Sequence, residues 1–390
     1  MHRRVYMDYN ATAPLLDAAR EAMLLSMDEL GNPSSVHKEG QNARRIINSA
    51  RDNLAQLTSA DAAHITFTSG ATEASTHLLT PHYKMGRSDL KVSKLYVSAV
   101  EHPCILSGGR FAKDDVVIIG VDHDGRIDLD ALEKNLSDHD QSEGLPMLAL
   151  QAVNSETGVV QPVAQAATIA RKYNALIVID AVQMLGRRSL SMSNLDADFV
   201  IVSSHKIGGP KGVGAIISKG EILMPSPLII GGGHEKGHRA GTENLIGISG
   251  FGAACEIALK NLHVFQEIGN KRDQLEQKMQ NLASDLVIHG KGVERIANTT
   301  CFTLPGMKSE TMQIAFDMEG IAASSGSACS SGKVSESHVL VAMKADSKSG
   351  ALRVSMGPQT TDEDVDRFLQ VFEKMNERRL ARQSEELAAS

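Results

Sequence analysis

The chain has 390 residues, with 40 Lys and Arg against 47 Asp and Glu, giving a formal net charge of −7. That length allows a large core and two domains, and the net negative, mixed charge argues against non-specific nucleic-acid binding. Apolar residues make up 42% of the chain without one long run, so no transmembrane helix is expected. The four cysteines, Cys104, Cys255, Cys301 and Cys329, show no CxxC spacing, which fits a reducing compartment and gives no zinc site. The first residues are basic but no apolar stretch follows them, so no signal peptide is expected.

The segment Tyr6 to Pro14 leads into a predicted helix from Leu15 to about Leu30. Gly31-Asn32-Pro33-Ser34-Ser35-Val36-His37 reads as a loop. Ile65-Thr66-Phe67 predicts a strand that enters Thr68-Ser69-Gly70-Ala71-Thr72-Glu73, a turn into a helix. Unsatisfied N–H groups at a helix start suit phosphate, and Thr72 adds a hydroxyl; the same string also serves as a plain helix cap. Residues 95–100 predict a strand ending at Glu101-His102-Pro103, and an imidazole at a strand end can stack on a ring and move protons. Residues 116–121 give a further strand, and residues 128–136 a helix.

Residues 147–153 predict a strand closing on Asn154-Ser155-Glu156-Thr157-Gly158, and residues 162–173 a crossover helix. Residues 175–179 form an apolar run that stops at Asp180-Ala181-Val182-Gln183. Residues 199–203, dense in β-branched side chains, stop at Ser203-Ser204-His205-Lys206 and a glycine-rich loop. Residues 213–217 add another strand. Strand, helix, strand repetition implies a mostly parallel sheet covered on both faces. Gly231 to Asn244 is glycine-rich and polar, which suits phosphate, an oxyanion or a solvent-exposed turn.

The span from Ile246 to about Leu286 has a long amphipathic helical pattern and links to a smaller α+β domain. There a strand at 298–304 precedes a helix at 309–319. Seven of the ten residues from Ser324 to Lys333 are Ser or Gly, so Cys329 sits among small polar neighbours, as a reactive thiol does. Arg353 lies on a predicted strand, where its guanidinium could hold a carboxylate with two hydrogen bonds or form a surface ion pair. The tail from Asp362 is a charged amphipathic helix.

Asp180 and Lys206 each sit just past a strand end. A lysine there can form a Schiff base, and a carboxylate can hold a protonated pyridine nitrogen; each also has an ordinary reading, as loop lysine and helix cap. Together they suit pyridoxal 5'-phosphate (PLP), with Ser203 and His205 as phosphate donors and Gln183 as donor to the phenolic oxygen. Asp180-Ala-Val-Gln183, Ser203-Ser-His-Lys206 and Ser324-Ser-Gly-Ser-Ala-Cys329 resemble the PLP-dependent cysteine desulfurases of the NifS/IscS type, in aminotransferase class V. The resemblance covers nearly the whole chain.

It implies an α/β, PLP-dependent transferase fold type I. A mostly parallel seven-stranded sheet forms a large domain at 15–250. Residues 1–14 pack over the active site, and a small α+β domain at 251–390 carries the cysteine loop. It implies Lys206, His102 and Cys329 as catalytic, and Ala71, Thr72, Ser155, Asp180, Gln183, Ser203, His205 and Thr242 as cofactor neighbours, with Thr242 reaching the other copy of a homodimer. Arg353 and Asn32 fall to the substrate, L-cysteine. The family pattern has a second Asn where this chain has Ser155, which changes one contact to the phenolic oxygen.

The expected products are L-alanine and a persulphide on Cys329. The persulphide passes to a sulphur-acceptor protein, an iron–sulphur scaffold or a tRNA-thiolation protein. Cys329 would serve as a metal ligand only through a cluster shared with such a scaffold. No direct nucleic-acid or membrane partner is expected, and the expected location is cytoplasmic. A selenocysteine lyase, a class V aminotransferase and a degenerate, non-catalytic partner protein are the alternatives.

Overall fold

The computed structural model describes residues 3–325, 336–346 and 348–389. Its largest element is a sheet of nine strands. Seven form the central run, in spatial order Val116–Ile119, Ser88–Ser98, Leu145–Gln151, Leu176–Asp180, Phe199–Ser203, Gly214–Ser218 and Ile65–Thr68. Only Gly214–Ser218 runs against its neighbours; the other pairings of the run are parallel. Two strands beyond the seven expected, His82–Met85 and Leu223–Pro225, extend the sheet by antiparallel pairing from the first half of Ser88–Ser98.

The two central strands Leu176–Asp180 and Phe199–Ser203 are buried at every position. Their apolar runs are continuous because both faces of the sheet are covered. The side chains still alternate. Ile177, Ile179, Val200 and Val202 enter one core, while Leu176, Val178, Phe199 and Ile201 enter the other. On the first face the helix Leu245–Lys260 packs against Lys38–Thr58, a helix with no counterpart among the predicted elements.

A second, antiparallel sheet orders Val287–Ile288, Thr299–Thr303, Leu352–Ser355 and Ser324–Ser325. Its core includes Phe302, Phe316, Phe368 and Phe372, with Phe316 and Phe368 stacked at 4.4 Å. The long helix expected over 246–286 is instead two helices, Leu245–Lys260 and Val264–Leu282, bent by 73°. Core membership changes at that bend: Ala258 belongs to the first core and Phe265 to the second. Among the described residues no single helix is long and apolar enough to cross a membrane.

The N-terminal segment joins the two units. Val5–Tyr6 pairs with Ile321–Ala322, and Val5 and Met7 enter the second core. The chain then crosses to the large sheet, where Ala13 N–H donates to His205 O at 2.9 Å. Close helix packing gives a test of this frame. A Cβ on Gly252 would lie 2.5 Å from Ala50 Cα. Gly252→Ala should therefore force Leu245–Lys260 away from Lys38–Thr58 and destabilise the protein by about 1–3 kcal/mol despite its better helix propensity. Denaturant unfolding reads the change.

Candidate active site

The carboxyl ends of the parallel strands carry the polar groups, where open α/β sheets place their ligands. Asp180 closes Leu176–Asp180, Lys206 lies in the single turn Ser204–Lys206 after Phe199–Ser203, and His102 follows Ser88–Ser98. A cavity of ≈ 560 Å³ collects Ala71, Thr72, His102, Ser155, Asp180, Gln183, Ser203, His205, Lys206 and Arg353. These ten residues come from positions 71 to 353 of the chain, and all were expected at one site. Asn10, Cys104, Gln151 and Lys211 also line the cavity.

Two expected residues lie elsewhere. Asn32 is exposed, and its Oδ1 accepts the Ser34 N–H at 2.9 Å, closing its own turn. Thr242 is exposed on the glycine-rich loop and does not line the cavity. That loop is anchored by Glu235, which takes two hydrogen bonds from Arg51 (2.9 and 3.0 Å), and by Arg239, whose Nε donates to Glu73 at 2.9 Å. Cys329 lies outside the described residues.

Lys206 Nζ donates to Asn10 O at 2.6 Å and to Ala11 O at 2.9 Å. Asp180 Oδ1 accepts the Val182 N–H at 2.9 Å. Burial lifts the Asp180 carboxyl to about 6, opposed by that hydrogen bond and by Lys206. His102 caps the short helix Pro103–Leu106: its Nδ1 accepts the Cys104 N–H at 3.2 Å and lies 3.0 Å from Cys104 Sγ. A backbone N–H only donates, so Nδ1 is unprotonated and the ring proton sits on Nε2. Burial, with Lys206 and His338 adding, lowers His102 to about 4, so the ring is neutral at neutral pH.

Arg353 is almost wholly buried, with its side chain 3% exposed. Its Nη2 donates to Asp8 Oδ1 at 2.8 Å and its Nη1 to Ser155 O at 3.1 Å, while its buried Nε–H has no partner among the described residues. Asp8 also accepts from Ser324 Oγ at 2.7 Å through its other oxygen. The segment 326–335 is thus preceded by a residue held to Asp8. It is followed by Ser337, whose Oγ donates to Glu156 Oε2 at 2.6 Å.

Sequence reasoning missed three residues that organise this region. Asn10 is buried and bonds to Thr299 of the small sheet and to Arg187 and Lys206 beyond the strand ends of the large one, Asp8 pairs with Arg353, and Arg187 bonds to Gln183. Asn10 and Asp8 lie in a stretch too short for periodicity to read. Arg187 follows Gly186, whose φ of 67° makes a tight turn. Nothing in that local string marks the arginine as buried.

The cavity can be tested for PLP on its own residues. Gly70 adopts φ 154°, which other residues rarely adopt, and precedes the helix Ala71–Leu78, whose first residues Ala71, Thr72 and Glu73 line the cavity; the first N–H groups of a helix lack intrahelical partners and suit a phosphate. Ser203, His205 and Lys211 line the same cavity. A buried carboxylate, an amine and a neutral imidazole complete the set, and its chemistry fits a phosphate and a protonated pyridine nitrogen.

A mostly parallel sheet with this set at its carboxyl edge is the architecture of the fold type I, PLP-dependent transferases. Residues 5–368 match the aminotransferase class-V family. The chain is 36% identical over 381 residues to cysteine desulfurase IscS 1 of Archaeoglobus fulgidus, covering 96% of this chain and 97% of that one. It is 37% identical over 378 residues to a cysteine desulfurase of Cereibacter sphaeroides, covering 95% of each. The X-ray structure of a NifS-like protein from Rickettsia africae aligns with a TM-score of 0.86 at 31% identity, over 96% of this chain and 100% of that one. The chain belongs to the aminotransferase class-V family, and membership implies PLP as its cofactor.

Glu156 generates a pH prediction. Burial raises it from 4.5 to about 7, with Ser337 and Arg353 acting the other way. The folded state therefore binds a proton that the unfolded state releases between pH 4.5 and about 7. This group's contribution to stability is full below pH 4.5 and is lost as pH rises through about 7. Glu156→Gln should keep a hydrogen bond to Ser337 and flatten the fall in melting temperature across that window. A profile that keeps the wild-type slope contradicts the assignment.

Proposed function

We propose that this protein is a cysteine desulfurase that takes sulphur from L-cysteine, releases L-alanine and carries the sulphur as a persulphide on Cys329. The observation that carries this reading is the convergence of Lys206, Asp180, His102, Gln183 and Arg353 on one cavity. When bound, PLP supplies the electron sink that labilises the substrate's Cβ–S bond.

The chain's own residues divide the remaining work. Lys206 holds the cofactor through its amine, and Asp180 takes the pyridine N–H. Ala71, Thr72, Ser203 and His205 are assigned to the phosphate, with Gln183 and Ser155 beside the phenolic oxygen. Arg353 has a buried Nε–H without a partner and is assigned to the substrate carboxylate. His102 moves a proton at Nε2, since Nδ1 is held as an acceptor. The Cys329 thiolate attacks the substrate sulphur. A sulphur–sulphur bond forms, the carbon–sulphur bond breaks, and the proton returned to carbon completes alanine.

The reading extends to a homodimer in which the exposed Thr242 of one copy serves the cofactor phosphate of the other. It also extends to a sulphur-acceptor protein that receives the persulphide, and to a cytoplasmic location. The two separate cores support a large unit and a smaller one, and the reading assigns Cys329 to a loop of the smaller.

Alanine formation from L-cysteine by the PLP-loaded protein tests the reading. Cys329→Ala should abolish it while leaving the cofactor bound. His102→Gln should lower it by about 10²–10⁴-fold, the usual contribution of a positioned proton-transfer group. Undiminished alanine formation by Cys329→Ala contradicts the role given to that thiol.

A further inference from the structure

Arg187 is an unusual cation. It is 4% exposed, and among the described residues no carboxylate pairs with it. Buried charges are ordinarily paired, because desolvation is costly. Here every bond goes to a neutral acceptor of the site. Nη1 donates to Gln183 Oε1 at 2.6 Å and to Asn10 Oδ1 at 2.7 Å; Nη2 donates to Tyr9 O at 3.1 Å and to Lys206 O at 3.3 Å. Burial, with Arg353 adding, lowers Arg187 to about 9, so it remains charged at neutral pH. Its charge also acts on His205.

An arginine has no acceptor. The end of the Gln183 amide that faces Arg187 is therefore its oxygen, and the NH₂ end is turned the other way. One of those hydrogens goes to Asn10 O at 3.1 Å. The amide has a second N–H, and Gln183 lines the cavity.

We propose that Arg187 is a positioning residue: it locks the Gln183 carboxamide as a hydrogen-bond donor to an anionic ring oxygen of the cofactor, and it fixes a positive charge beside the main chain of Lys206. This rests on the reading of the cavity as a PLP site. Without Arg187 only the bond to Asn10 O orients the amide, and its oxygen can turn inward, where it repels such an oxygen. The loss of the cation also favours the protonated form of the cofactor held on Lys206. Both effects have the same sign.

The test is spectroscopic and needs no turnover. Wild type, Arg187→Lys, Arg187→Met and Arg187→Gln are loaded with PLP, and the visible absorbance of each is titrated with pH. The midpoint in Arg187→Met and Arg187→Gln should rise by about one unit or more, the size given by removing a nearby charge. Arg187→Lys keeps the charge and should move less. A neutral variant that melts cooperatively, binds a full complement of cofactor and keeps the wild-type midpoint overturns the proposal. If Arg187→Met fails to fold, Arg187→Gln decides by the same criterion. A wild type that gains no visible absorbance with PLP overturns the underlying cofactor reading, an outcome distinct from an unchanged midpoint.

Discussion

Asn10 is the point on which the site depends. Its side chain accepts from Arg187 and Asn298 and donates to Ser155 O and Thr299 Oγ1, while its N–H donates to Ser355 Oγ. Its carbonyl takes the amine of Lys206 and the amide of Gln183. One buried residue thus uses its polar atoms to tie the carboxyl edge of the large sheet to the small one. Removing one partner leaves a buried donor or acceptor unsatisfied, which costs more than the net contribution of the bond itself, so the network resists partial loosening. The cavity walls come from both units, and this clamp fixes their relation.

The electrostatics follow from burial. Asp180 and Glu156 are lifted, Glu101 is held well above the usual carboxylate range, and His102 and His205 are pushed down. Desolvation is the leading cause for all five. Of these, Asp180, His102 and His205 line the cavity, where burial disfavours their charged forms and suits them to a ligand that brings charge, such as a phosphate or a pyridinium. Asp180 sits closest to that logic, since a cationic partner would favour its ionised form.

Much of this was legible in the sequence, for a definite reason. Residues 175–180 and 199–206 are apolar runs ended by chemistry-bearing side chains, and a strand buried on both faces must look that way. Ten of the expected residues share one cavity: nine stand at or follow a strand end or open a helix, and Arg353 stands on the strand Leu352–Ser355. The break at residues 261–263 was invisible, because the apolar pattern runs on either side of it while the two helices face different cores. Asn10 and Arg187 were invisible because their meaning lies in partners far along the chain: the Asn10 N–H meets Ser355, 345 positions away. Asn32 looked like a substrate neighbour by its place in the chain, yet it lies outside the cavity and its amide oxygen accepts from its own turn.

The central claim is that Lys206, held by the Asn10 and Ala11 carbonyls, is the group that binds the cofactor. Lys211 lines the same cavity and is the natural competitor. Borohydride reduction of the PLP-loaded protein, followed by peptide mass mapping, separates them. The account predicts a phosphopyridoxyl mass on the peptide carrying Lys206 and none on Lys211. Labelling of Lys211, or of lysines scattered over the surface, would contradict it.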